Sequence, residues 1–153
     1  MDEERILTEL LELLWDELQP ISIVKSDDEA VWCIELPGNE HVLLSCEPAL
    51  RKLVCSTSFA CSAAVQPSNH PVQEWLLMET YETAEWGGPT VGLDGDGVAV
   101  FYDQALAGLS VDALQWAITD VLAAARRYRS LLPDAEEASA EPALLNDSDT
   151  IRA

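Results

Sequence analysis

The two carboxylates of Asp94-Gly95-Asp96-Gly97 are the first residues whose type and spacing invite a chemical reading, as calcium ligands. A helix-loop-helix calcium loop needs oxygen donors at alternate positions, glycine at the sixth and a bidentate glutamate at the twelfth. Counted from Asp94, the third position is Asp96, but the fifth is Val98, the sixth Ala99 and the twelfth Ala105, so the oxygens stop after two. The flanks carry a different signal. Thr90-Val91-Gly92-Leu93 precedes the turn and Val98-Ala99-Val100-Phe101-Tyr102 follows it, both rich in β-branched and aromatic residues. Asp-Gly between two such runs predicts a β-hairpin, because the turn requires a positive φ that glycine adopts without a Cβ clash.

Metal and nucleophile chemistry find no better footing. Cys33, Cys46, Cys55 and Cys61 contain no Cys-x-x-Cys pair, and two histidines are too few to complete a zinc site around them. They read as small buried thiols on strands. His41 opens a strand and His70 precedes Pro71, so both read as turn or surface residues rather than general bases. A Gly-x-Ser-x-Gly elbow, a phosphate-cradling loop with lysine and a His-Glu-x-x-His are all absent from the sequence. Glu85-Trp86-Gly87-Gly88-Pro89 could form an anion nest, but a helix-to-strand connection accounts for its glycines and proline more simply. The expectation is a protein that is not an enzyme and uses no cofactor or metal.

The charge balance narrows the partners. Among 153 residues, 28 are acidic and 8 basic, a net charge of −20, with 48% apolar residues. Such a surface repels nucleic acid and anionic lipid, and favours basic partners or a long-range self-repulsion that keeps the protein soluble. The first residues, Met-Asp-Glu-Glu-Arg, lack the basic-then-apolar order of a signal peptide, and no uncharged apolar run is long enough to span a bilayer. A cytoplasmic location is expected.

The elements follow from periodicity. Residues 2–18 predict an amphipathic helix with Leu7, Leu10, Leu11, Leu14 and Leu18 on one stripe, and Pro20 ends it. Ile6, Leu13 and Trp15 fall outside the stripe, so the apolar arc is wider than one contact requires. After a short Ile-Ser-Ile-Val-Lys segment, Val31–Leu36, Val42–Glu47 and Leu53–Cys61 predict three strands. Their apolar residues occupy both faces, which implies a sheet covered on both sides or one with an exposed apolar face.

A second helix is predicted from about residue 71, with Pro71 at its start, to about 84. Its Trp75-Leu76-Leu77-Met78 points apolar side chains around nearly the whole circumference, and a second copy of the chain is the economical cover for the side turned from the sheet. The final helix, Val111–Leu132, carries Val111, Leu114, Ile118, Val121, Ala125, Tyr128 and Leu132 at alternating gaps of three and four, a continuous packing seam. Residues 1–132 thus form one α+β domain, and 133–153, small and acidic, an expected unstructured tail.

This order of elements resembles the class I chaperones of bacterial type III secretion, the Tir-chaperone family. The stretch from Trp75 to Leu132 carries most of the likeness: a leucine-rich helix, a glycine-bearing strand, the hairpin, a short connection and a long final helix. Val31–Cys61 is similar to the family's three-strand meander. The resemblance implies three helices with an antiparallel, five-stranded twisted sheet, in the order α-β-β-β-α-β-β-α. It implies a homodimer without ATP use or catalysis that holds the N-terminal segment of an effector extended and secretion-competent, with a role in virulence. By the same resemblance the dimer interface holds Trp75, Leu77, Met78 and Tyr81 of the second helix with Val91 and Leu93 of the hairpin. The candidates for client contact are Ile6, Leu13 and Trp15 on the first helix and Trp32, Ile34 and Leu43 on the strands; a single sequence leaves open which of them are core. A regulator of the same fold that sequesters a transcription-factor partner is the alternative, and a small enzyme the alternative from another class.

Overall fold

The computed structural model describes residues 3–61, 70–95, 97–132 and 148–152. The first helix, α1 (Glu3–Leu18), buries Leu7, Leu11 and Leu14 and packs Leu10 and Leu18 at the edge of the core, the stripe that the periodicity predicts. Glu3 and Glu4 sit in its first turn, at the positive end of the helix dipole. Gln19 closes the helix in a left-handed conformation (φ 47°), its N–H donating to Trp15 O at 2.8 Å.

An antiparallel meander follows. β1 (Ser22–Ser26) pairs with β2 (Val31–Leu36), β2 with β3 (Glu40–Glu47), and β3 with β4 (Lys52–Ala60). Leu36 faces Glu40 across the tight turn at 37–39, where Gly38 and Asn39 take φ of 84° and 60°. Next come α2 (His70–Trp86), β5 (Thr90–Asp94), β6 (Gly97–Ala105), α3 (Val111–Leu131) and β7 (Ser148–Arg152). The sheet order is β5-β6-β4-β3-β2-β1-β7, antiparallel throughout. Asp94 pairs with Gly97, so the Asp-Gly-Asp-Gly segment is the expected hairpin. The Glu85–Pro89 connection also forms as expected: α2 ends where the N–H groups of Gly87 and Gly88 both donate to Thr83 O.

Two strands exceed the expected five. β1 arises from the short segment after α1, whose single fully buried residue, Ile23, gives too little alternation to mark a strand before its partner is known. Residues 148–152, placed by the sequence reading in the unstructured tail, form β7 on the outer edge of β1. The rest of that tail, 133–147, lies outside the described residues.

The register sorts the sheet into two faces. Trp32, Ile34, Val42, Leu44, Leu53, Cys55, Phe59, Val98 and Val100 point to the side where α1 and α3 lie, and all are buried. α3 crosses this face on the predicted seam, with Leu114, Ile118, Val121, Ala125 and Tyr128 buried. Ser110 caps it, accepting the Ala113 N–H at 3.1 Å. Near its C-terminal end, Arg126 grips Glu40 of β3 with two hydrogen bonds of 2.7 and 2.5 Å, tying helix to sheet.

Candidate protein-binding surfaces

On the face opposite the helices, Val24, Val31, Leu43 and Val54 are half-buried and Phe101 is exposed. Between them stand Ser45, Ser56 and Ser58, also half-buried. Of the two outcomes that apolar residues on both faces allow, the sheet comes nearer the second: one face is closed by helices, and the other sets its half-buried apolar residues among serines and, toward its ends, Glu35, His41, Glu47, Lys52 and Asp103. Cys33 is the exception on this side, buried between Leu43 and Val24.

The client candidates divide among three places. Trp32 and Ile34 have no exposed surface and belong to the helix-covered core, which corrects their reading as contact residues. The period of β2 sends them, with Leu36, to the covered face, and a single sequence does not reveal which face that is. Leu43 stands on the open face. Leu13 projects from α1 with 66% of its surface exposed, while Ile6 and Trp15 flank the buried stripe half-covered. The α1 surface and the open sheet face therefore lie on opposite sides of the sheet.

The second group gathers on α2 and β5. α2 runs along β5, where the Thr80 hydroxyl donates to Val91 O at 2.5 Å. It also packs on the end of α3, where Trp75 meets Tyr128 edge-to-face at 5.8 Å and Glu79 lies 3.5 Å from Arg127. These contacts use the side of Leu76, the one fully buried residue of α2. Leu77 (70% exposed), Met78 (63%) and Tyr81 (71%) point away, and Leu93 of β5 is half exposed. One helical turn spans about two strand residues, so Leu76 and Leu77 lie level with Leu93. Trp75, half-buried against Tyr128, and Val91, fully buried, support this surface from within the protomer and are not part of its exposed face.

A groove of about 480 Å³ opens between the start of α2 and the end of α3, lined by Pro71, Val72, Trp75, Glu79, Arg127, Leu131 and Leu132. Its acid and base are already paired with each other, and it gathers no nucleophile. Burial depresses the basicity of His41 and lifts the Cys46 thiol, and the Cys55 thiol is pushed up to about 12. Among the described residues, no three His, Cys, Asp or Glu side chains stand together as metal ligands, and no helix is long and apolar enough to cross a membrane. What the geometry offers is exposed apolar side chains on a helix-backed sheet.

No family model matches the sequence, and no curated protein matches it. Solved structures do. The ExsC–ExsE complex contains a chain that superposes with a TM-score of 0.72 at 16% identity, covering 87% of this chain and 98% of that one. The chaperone–effector complex of HopA1 and SchA matches with a TM-score of 0.62 at 18% identity, over 82% of this chain and 97% of the other. The type III secretion chaperone SycH of Yersinia pestis, solved with a stable fragment of YscM2, matches with a TM-score of 0.58 at 16% identity, over 78% and 97%. The fold is that of the type III secretion chaperones. The match spans nearly the whole of each matched chain, so the likeness is to an entire fold and not to one motif within it.

Proposed function

We propose that the protein is a cytoplasmic secretion chaperone that works as a homodimer and holds the N-terminal segment of a bacterial type III effector in an extended form. The observation that carries this reading is the near-complete structural match to the chaperone of a chaperone–effector complex, by a chain whose own exposed surface is rich in large apolar side chains. Leu77, Met78, Tyr81 and Leu93 form the dimer contact, with Trp75 and Val91 bracing it from behind. The apolar client surface consists of Leu13 with Ile6 and Trp15 on α1, and of Leu43 on the open sheet face; Trp32 and Ile34 form the floor beneath α1.

Extended segments bind by laying side chains on apolar surface or by adding to a sheet edge. Neither needs a nucleophile, a metal or a nucleotide. The test is co-purification of the protein with the N-terminal segment of the secreted protein encoded beside it, followed by limited proteolysis. The segment should be cut rapidly alone and protected over several tens of residues in the complex. A purified protein that protects no such segment and instead turns over a small molecule would overturn the proposal.

A further inference from the structure

The edge of the sheet beyond β1 is filled by the chain itself. β7 runs antiparallel to β1 with Val24 opposite Thr150, Lys25 opposite Asp149 and Ser26 opposite Ser148, and the register breaks between Ile23 and Val24. Without β7, β1 would be an edge strand, since its other side is taken by β2. An unpaired edge presents a row of N–H and C=O groups to which any extended peptide can add. Here the row is occupied by five residues, Ser-Asp-Thr-Ile-Arg, with one large apolar residue among them. A strand so short and polar in sequence, with a register break, belongs to the low-stability end of a fold.

We propose that β7 is a built-in occupant of the β1 edge, a pseudo-client strand that an incoming extended segment must displace. The identity of the incomer rests on the chaperone reading above; occupancy of the edge does not. Covalent attachment gives the strand an effective concentration of the order of millimolar, enough to keep a weak strand docked against other chains. An edge that is open a tenth of the time weakens the apparent affinity for a competing strand about tenfold. The strand thereby shields the edge from adventitious pairing and yields only to a segment that also fills an apolar surface elsewhere on the protein.

The test uses the full-length chain carrying Asp149→Pro and Thr150→Pro together. Successive strand N–H groups point to opposite sides, so one of these two faces β1, and the pair of prolines removes it whichever it is. Hydrogen exchange should show the β1 amides that do not donate to β2 exchanging at least tenfold faster in the variant, with the β2-facing amides and the melting temperature essentially unchanged. A synthetic peptide copying residues 146–153 should bind the variant and restore protection, and bind the wild-type chain at least tenfold more weakly. The proposal is overturned if the outward β1 amides are already unprotected in the wild type, if the peptide binds both chains equally, or if the variant loses protection throughout the domain, which would make β7 part of the cooperative fold. None of these readouts involves an effector, so failure of effector capture by both chains would count against the chaperone reading and not against this one.

Discussion

Gly97 leaves the hairpin paired with Ala60, and a Cβ built on it would overlap the carbonyl oxygen of Phe59 while lying 2.9 Å from the Phe59 carbonyl carbon and 3.1 Å from Ala60 Cα. All three are backbone atoms of β4, so no rotamer change relieves the clash. Restoring ordinary contact distances requires β6 and β4 to part by about an ångström at this end, loosening the Ala60–Gly97 and Phe59–Val98 pairs. Overpacking of this kind costs about 1–3 kcal/mol, and a backbone obstacle places Gly97→Ala at about the upper limit. For a chain of this size that is a fall in melting temperature of roughly 6–12 °C. Gly92→Ala is the matched control: it lies on the neighbouring strand of the same hairpin, and its nearest atom, Phe101 Cε1, is at an ordinary 3.8 Å. Urea and thermal unfolding of the two variants should separate them by at least 2 kcal/mol. Equal stabilities, or a Gly97→Ala protein as stable as wild type, would show that the β4 backbone does not obstruct a side chain at position 97.

Leu77→Glu should convert the proposed dimer into monomer or aggregate, since burying one large apolar side chain is worth about 1.5–3 kcal/mol and the charge forfeits it in both copies; a folded wild-type monomer at micromolar concentration by sedimentation would contradict this. With the Cys55 thiol held near 12, only about one in ten thousand molecules carries its thiolate at pH 8, so labelling of Cys55 should be slow until denaturant is added, and rapid native labelling would show the strand packing to be wrong. His41 is less basic folded than unfolded because burial outweighs the attraction of Glu35. Its contribution to stability is therefore full above its unfolded pKa of about 6.5 and is lost as the pH falls through the lower folded value. His41→Gln should remove that part of the acid slope, and an unchanged slope would exclude the residue as its source. Trp32→Ser should destabilise the protein by several kcal/mol, whereas Leu13→Ser should shift the melting temperature little; the reverse order by denaturant titration would overturn the division between core and surface.

What the sequence disclosed was set by the period of each element. α1 and α3 were legible because long runs repeat at three and four residues, and the seam residues of α3 from Leu114 to Tyr128 are buried, joined by Ala117 and Leu122; α2 was legible from Pro71 at its start. The hairpin was legible because Asp-Gly carries its own turn chemistry, but the close approach that demands glycine at position 97 was not, since it depends on β4, distant in sequence. The α2 surface could be read because four consecutive apolar residues cannot all face one side of a helix. Trp32 and Ile34 were misassigned because alternation defines two faces without naming the covered one. β1 was passed over because a five-residue strand with one buried side chain looks like a connection until its pairing with β2 is seen. β7 escaped for the same reason, its strand character coming from an available edge more than from its own residues.

The proposed function requires that the apolar surface of this fold capture an extended protein segment. Its most direct test is the proton–nitrogen NMR spectrum of the isotopically labelled N-terminal segment of the neighbouring secreted protein, bound to the unlabelled wild-type protein and offered to the Leu13→Ser variant. The segment should be ordered and slow to exchange only along its bound residues, without the long-range contacts of a globular fold, and should bind the variant at least tenfold more weakly. A segment that folds into a globular domain of its own, or that binds the variant and wild type equally, would contradict that function.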